Sequence, residues 1–226
     1  TVAVVTKPFA VEGKKRMAQA EKGLAELRGC VDTLITIPNS KLREVEEKIT
    51  ILDAFRRADE VLLLAVQGIT DLIITPGIIN LDFADVTTVM RGKGVALMGV
   101  GSGEGEDAAS KAMRAALDYK LLEENSIKGA KAALINVTGG PNMVLGEVED
   151  AIGMIEGEAD ENADIIWGSV IKDDMGDKIK ITVIATGFDS AISAAIPKPR
   201  TAEAVAVGTI RTGFPPADVS ADENID

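Results

Sequence analysis

The amino-acid sequence predicts an α/β protein. The end of a doubly wound parallel sheet leads into one long helix, and an α+β region with a mixed four-stranded sheet follows. Three observations carry that reading. Residues 1–38 run strand, helix, strand, the unit that makes parallel pairs. Residues 50–74 hold an apolar stripe at 3.6-residue spacing. Residues 95–186 return to β-branched runs separated by helical patterns.

Val2, Ala3, Val4 and Val5 form a continuous apolar run, as in a buried strand. The chain opens on Thr1 directly into that run, so the expectation is a piece of a longer protein. Lys7-Pro8-Phe9 breaks the strand. Glu12 to Gly29 then alternates charged residues with Met17, Ala20, Leu24 and Leu27 at helical spacing, and Gly29 closes the helix. Val31 to Pro38 is the second strand, and ligands of such a sheet gather at the carboxyl ends of its strands. A short charged segment, Ser40 to Lys48, precedes a helix starting near Thr50. Leu52, Phe55, Ala58, Leu62, Ala65, Ile69 and Leu72 form its stripe, widened by Leu63, Leu64 and Val66, which predicts a helix buried between two layers.

Pro76-Gly77 ends this helix, and Asp82 is the expected N-cap of the next. Val95–Val100, Ala132–Val137, Ile165–Ile171 and Lys178–Thr186 read as strands, with helices at Glu106–Tyr119 and Leu145–Glu158. The acidic turn Asp173-Asp174-Met175-Gly176-Asp177 predicts a hairpin between the last two strands. Pro197, Pro199, Pro215 and Pro216, with acids but no bases after Arg211, predict a flexible tail over 189–226.

Composition excludes several chemistries. With 24 Lys and Arg against 36 Asp and Glu, the net charge of −12 argues against a backbone-tracking nucleic-acid binder and against direct binding to anionic membranes. No His is present, which removes His-based nucleophiles and His-ligated metal centres and leaves acid–base work to carboxylates or water. Cys30 is the single cysteine, so neither an internal disulfide nor a cysteine–metal cluster is expected, and no metal site is predicted. A cytoplasmic location is the expectation.

Four motifs carry possible chemistry. Gly99-Val-Gly101-Ser-Gly103-Glu-Gly105 sits between a strand and a helix, but it is neither GxGxxG nor GxxxxGK[ST]. Its reading is a flexible connection, and a nicotinamide-cofactor enzyme built on it is the weaker alternative. Asp82 and Asp85, three apart, fall on one side of a first helical turn; two carboxylates there either cap the helix or polarise a water, with Asn80 an ordinary turn residue beside them. Glu12 and Arg16 make an i, i+4 pair next to the expected ligand edge, although most such pairs are solvated. Phe55 and Asp59 share a helix face, either to stack on and hydrogen-bond a purine or as core and rim.

Taken together these segments resemble the FtsZ family of cell-division GTPases, relatives of tubulin. The resemblance rests on Val4-Val-Thr-Lys-Pro-Phe9 with Glu12-Gly-Lys-Lys-Arg16; on Val31-Asp-Thr-Leu-Ile35 with Ile37-Pro-Asn39; on Ala65-Val-Gln-Gly-Ile69; and on Asn80-Leu-Asp-Phe-Ala-Asp-Val86. Ser126-Ile-Lys-Gly-Ala130, Asn136-Val-Thr-Gly-Gly140 and Ile184-Ala-Thr-Gly-Phe188 extend it to about residue 188.

The resemblance implies that residues 1–48 end a Rossmann-like GTP-binding domain, 50–74 form the central helix, 75–90 the catalytic loop and following helix, and 91–188 a C-terminal activating domain. It implies GTP or GDP with Mg²⁺ as ligands. Glu12 matches the ribose-contacting glutamate, Arg16 the arginine near the phosphates, Phe55 the guanine-stacking ring and Asp59 the base-binding acid. Asn80, Asp82 and Asp85 match the catalytic loop that enters the next subunit's pocket. It further implies a head-to-tail homo-oligomer at the division site, with membrane tethers bound through a C-terminal peptide that does not occur here. The family's phosphate loop, GGGTGTG, does not occur here either, so this chain is expected to hold half a GTP site and to be inactive alone. The alternative is a non-catalytic, polymer-capping module of the tubulin/FtsZ superfamily.

Overall fold

The computed structural model describes residues 1–45, 49–75, 77–118 and 127–188. The end of the charged segment at 46–48, Pro76, Tyr119, Ser126 and the tail at 189–226 lie outside the described residues.

The elements run β1 (Val2–Lys7), α1 (Lys14–Arg28), β2 (Thr33–Pro38), α2 (Asn39–Val45), α3 (Ile51–Ile74), α4 (Phe83–Met90), β3 (Gly94–Glu104), α5 (Ala108–Leu117), β4 (Ala132–Gly139), α6 (Leu145–Glu156), β5 (Asp164–Ile171) and β6 (Lys178–Thr186). The strands form one sheet in the order β1-β2-β3-β6-β4-β5. The fold is α/β with a mixed sheet: β6 runs antiparallel to both β3 and β4, and the other pairs are parallel. Four strands were expected in the mixed sheet. β2 joins β3 over Thr33↔Gly94 to Ile35↔Ala96, and this adds the first two strands to the same sheet.

The expected hairpin between the last two strands is absent. β5 pairs with β4, whereas β6 inserts between β3 and β4, so the acidic turn carries the chain across β4. The reason is burial. On β6, Ile179, Ile181, Val183 and Ala185 face one core while Ile184 faces the other, and only a central position covers both faces. One core packs α3 and α4 against Ala96, Met98, Ala132, Leu134 and Ile184. The other packs α5 and α6 against Ala133, Ile135, Val137 and the inward side of β6.

The glycine-rich segment is also not a flexible connection. β3 continues through it to Glu104, and Gly99, Gly101 and Gly103 alternate onto the face covered by α5. A Cβ at Gly99 would fall 2.0 Å from the Ala116 carbonyl oxygen, one at Gly101 2.0 Å from that of Ala112, and one at Gly103 2.1 Å from that of Ala108. Three glycines every second residue meet three alanines every fourth, so strand and helix backbones touch. Phosphate has no room there, which removes the nicotinamide reading.

The long helix begins and ends close to expectation. Thr50 is its N-cap, accepting the Asp53 N–H at 3.1 Å. It is not buried between two layers, however. Ala58, Val61, Ala65, Gly68 and Leu72 face the sheet, while Leu52, Leu63 and Val66 are exposed. A polar seam fixes its height on the sheet: Asn136 Nδ2 donates to the Gly68 carbonyl at 3.1 Å, Thr138 Oγ1 to Asn136 Oδ1 at 3.3 Å, and Lys172 Nζ lies 3.3 Å from Asp71 Oδ2. Gly68 is needed, because a Cβ would sit 2.7 Å from Thr182 Cγ2. The end of α4 is tied down by Thr33 Oγ1, which donates to the Met90 carbonyl, and by Thr186 Oγ1, which donates to that of Val89 at 2.7 Å.

The glycine–alanine contact gives a sharp test. Gly101→Ala is expected to destabilise by about 2–3 kcal/mol, since the new methyl meets backbone on an unbending sheet. Gly153→Ala, at a mid-helix site on α6 with nothing within 4 Å of its Cβ, is expected to stabilise by about 0.5–1 kcal/mol. Urea unfolding of the two variants checks both signs.

Candidate functional site

The residues singled out from sequence fall into two groups at opposite ends of α3. The first lies at the carboxyl end of β1. Phe9 is buried, Ala10–Glu12 form a 3₁₀ turn, and Gly13 takes φ +96°, open at low cost only to glycine. The turn aims Glu12 back on itself: Oε1 accepts the Phe9 N–H at 2.8 Å and Oε2 pairs with Arg16 Nε at 3.1 Å. The Glu12 side chain is 14% exposed and that of Arg16 69%. The carboxylate is therefore held in place while the guanidinium faces outward.

Phe9 makes the link to α3. Its ring meets Phe55 edge-on, with centroids 5.2 Å apart and planes at 71°. Phe55 remains 44% exposed, so it is neither core nor free: one part is clamped and another is open. Asp59, one turn further on the same face, is exposed. The fold thus brings Glu12, Arg16, Phe55 and Asp59 to one end of the helix.

A fifth residue there carries no role in the sequence reading. Asn39 follows Pro38, which is opposite Lys7 in the β1–β2 register, so it shares the carboxyl edge with the turn that holds Glu12. It is 5% exposed, and its Oδ1 has no hydrogen-bond partner among the described residues. Leaving a buried amide oxygen unpaired costs about 1–3 kcal/mol, a cost that a donor on a ligand removes. Its place directly after a strand at the ligand edge is the signal that would have found it.

The second group lies beyond the other end of α3. Gly77 N–H donates to Asn80 Oδ1 at 2.7 Å, and a Cβ on Gly77 would fall 2.0 Å from the Ser169 carbonyl oxygen. Ser169 N–H donates to the Ile79 carbonyl at 2.9 Å, and Leu81 N–H to that of Leu72 at 3.2 Å. The loop is therefore fastened to both β5 and α3. Asp82 caps α4: its Oδ1 accepts from Ala84 N–H at 2.7 Å and Asp85 N–H at 2.9 Å. Asp85 Oδ2 returns the contact, accepting the Asp82 N–H at 3.2 Å. Asp82 Oδ2 and Asp85 Oδ1 have no hydrogen bond among the described residues, so each acid caps with one oxygen and presents another.

Between the ends, burial first and then Lys172 lower the pKa of half-buried Lys180 from 10.5, with Asp71 acting the other way. Among the described residues no group of three or more His, Cys, Asp or Glu is placed to hold a metal ion. None of the described helices is long and apolar enough to cross a membrane.

The chain as a whole is similar to known proteins in sequence and fold. The model described as "FtsZ family, C-terminal domain" matches residues 94–189. The cell division protein FtsZ of Wolbachia pipientis is 52% identical over 191 residues, covering 84% of this chain and 61% of that protein. That of Magnetospirillum gryphiswaldense is 47% identical over 235 residues, covering 98% of this chain and 41% of that protein. The chain therefore spans less than two thirds of either relative. Among solved structures, an empty FtsZ dimer of M. jannaschii superposes with a TM-score of 0.80 at 39% identity, over 93% of this chain and 62% of that one. CetZ1 of Haloferax volcanii, a GDP-bound monomer, shares the fold at 18% identity and a TM-score of 0.61, over 86% of this chain and 60% of that one.

The capping geometry is testable in isolation. Asp82→Ala is expected to lower stability by about 1 kcal/mol, whereas Asp82→Asn, which keeps an acceptor, is expected to cost much less. Paired thermal melts of the two variants distinguish a cap from a surface charge.

Proposed function

The chain belongs to the FtsZ family, and from that premise we propose that the whole protein is a GTPase that assembles head to tail and hydrolyses GTP where two copies meet. The observation that carries this reading is the separation of the two groups. α3 has 24 residues and is about 36 Å long, with Phe55 near its start and the acid loop fastened beyond its end. A nucleotide held at Glu12 and Phe55 is out of reach of the same chain's Asp82 and Asp85. A second copy stacked along the helix axis removes that distance.

In this reading Phe55 stacks on the guanine, Asp59 accepts from its edge, Glu12 binds the ribose, and Arg16 lies toward the phosphates. Asn39 Oδ1 accepts a hydrogen bond from the nucleoside and so loses its unpaired state. The described residues fit the nucleoside half of a site. Mg²⁺ would come with the phosphates, the usual mode for this ion, and would supply charge neutralisation there. From the next copy, Asn80 shapes the loop while the free oxygens of Asp82 and Asp85 orient a water. That water attacks the γ-phosphorus, the bond to the β-phosphate oxygen breaks, and the proton passes toward the carboxylates. The protein works in the cytoplasm at the division site, linked to the membrane through tethers.

Two measurements on the whole protein and one on this chain alone test this. Asp82→Ala and Asp85→Ala are each expected to abolish turnover while leaving GTP affinity within about twofold, because neither acid belongs to its own chain's pocket. Turnover near normal at normal assembly would return both acids to capping alone. Asn39→Ala is expected to weaken nucleotide binding about tenfold without loss of stability, since an unpaired buried oxygen is removed. The 226-residue chain by itself, which contains no glycine-rich phosphate cradle, is expected to show no turnover.

A further inference from the structure

We propose that Asp71 and Lys172 are positioning residues for the acid loop. Their ion pair ties the end of α3 to the end of β5, the two elements from which the loop hangs, and so fixes where Asp82 and Asp85 stand. The proposal rests on the reading that these acids orient the attacking water, and it adds what holds them in place.

The loop has an anchor on each element. Leu81, next to Asp82, donates its N–H to the Leu72 carbonyl at 3.2 Å. Ile79, next to Asn80, accepts the Ser169 N–H at 2.9 Å. Asp71 adjoins the first anchor and Lys172 lies just beyond the second, so their contact at 3.3 Å closes a ring that runs through both. Glycine lets the three parts meet: a Cβ on Gly168 would fall 2.8 Å from Leu72 Cδ2 and 2.9 Å from the Ile79 carbonyl oxygen. Any shift of the helix end against the strand therefore pulls on the backbone that leads directly into Asn80 and Asp82.

Both partners are held by their own backbones. The Asp71 carbonyl accepts the Thr75 N–H at 3.0 Å, which closes the last turn of α3, while the carboxylate reaches across to Lys172. The Lys172 N–H donates to the Gly139 carbonyl at 2.9 Å, which pins it to the end of β4. The pair thus joins two fixed points rather than two mobile side chains.

Folding alone does not explain the pair. A carboxylate in the last turn of a helix opposes the dipole, and the last turn of α3 carries no base to offset it. The Asp71 side chain is only 22% exposed, so it is partly desolvated as well. The middle of α3 is already held by Asn136 on the Gly68 carbonyl and by the fit of Gly68 to Thr182. From β6, half-buried Lys180 acts on the same group: burial and then Lys172 lower its pKa, and Asp71 works the other way. One carboxylate stands between two ammonium groups, and its removal leaves them opposed.

The test measures turnover, GTP affinity and sedimentation in GTP on variants of the whole protein, with Asp82→Ala in the same series. Lys172→Met is expected to lower kcat about tenfold with KM, affinity and assembly unchanged, as for catalytic groups displaced by a fraction of an ångström. Asp71→Asn is expected to lower kcat further, because it also leaves Lys172 facing Lys180. Being nearly isosteric, it keeps the test open where Lys172→Met melts early. Lys172→Arg, which keeps the charge, is expected to retain most of the normal kcat. Mixing the Lys172→Met protein with one carrying Glu12→Ala and Asp59→Ala is expected to exceed the turnover of either alone, since an intact loop then meets an intact pocket. A general loss of fold is not recovered in that way. Normal kcat in both single variants, a Lys172→Arg protein as slow as Lys172→Met, loss of GTP affinity, or a mixture without gain overturns the proposal. Normal turnover by Asp82→Ala at normal assembly refutes instead the reading of the acids on which the proposal rests.

Discussion

A helix of 24 residues held along its length by a sheet cannot fold its ends together, and the proposed function depends on that constraint. α3 is fixed by Asn136 on the Gly68 carbonyl, by the close fit of Gly68 to Thr182, and by Lys172 on Asp71. These contacts set its height, and thereby the positions of Phe55 at one end and of the acid loop at the other. In the proposed function purine recognition and carboxylate chemistry are built on one rigid element, with about 25 Å of helix between Phe55 and Leu72, where the acid loop is fastened. Under the proposed function, catalysis that needs both is shared between molecules and turnover is conditional on assembly.

The sheet holds this strut because its own central strand is locked on both faces. β6 is buried between β3 and β4, with α3 packed over one side and α5 and α6 over the other. The contact of Gly99, Gly101 and Gly103 with the α5 backbone leaves no slack on the second side. The acid loop uses the same logic on a smaller scale. Gly77 seats against Ser169, Leu81 hangs from Leu72, and the capping box then sets two carboxylates on a helix start with one oxygen of each left over. Capping by one oxygen leaves the other free for the catalytic role proposed for each carboxylate.

What the sequence made legible was local. The N-cap Asp82, the start of the long helix near Thr50 and its end, and the order of strands and helices follow from spacings of a few residues. What it hid was decided by contacts distant in the chain. The acidic turn before β6 has hairpin composition, but burial on both faces sends that strand to the middle of the sheet. Three glycines in a row of alternates read as slack until α5 is laid on them. Asn39 follows a strand at the ligand edge, a weak signal in the sequence that its burial and its unpaired oxygen make specific. Glu12, Arg16, Phe55 and Asp59 came from resemblance to a family, since an ion pair and an apolar stripe are common. The fold then places them at one helix end.

The central claim is that each hydrolytic site is made from two chains. Mixing two inactive variants of the whole protein tests it most directly. One variant carries Asp82→Ala and keeps its nucleotide pocket; the other carries Glu12→Ala with Asp59→Ala and keeps its acid loop. The account predicts that neither turns over GTP alone and that the mixture does, at a rate that rises with the concentration of both. A mixture no more active than its separate components, while sedimentation shows that the two variants associate, would contradict it.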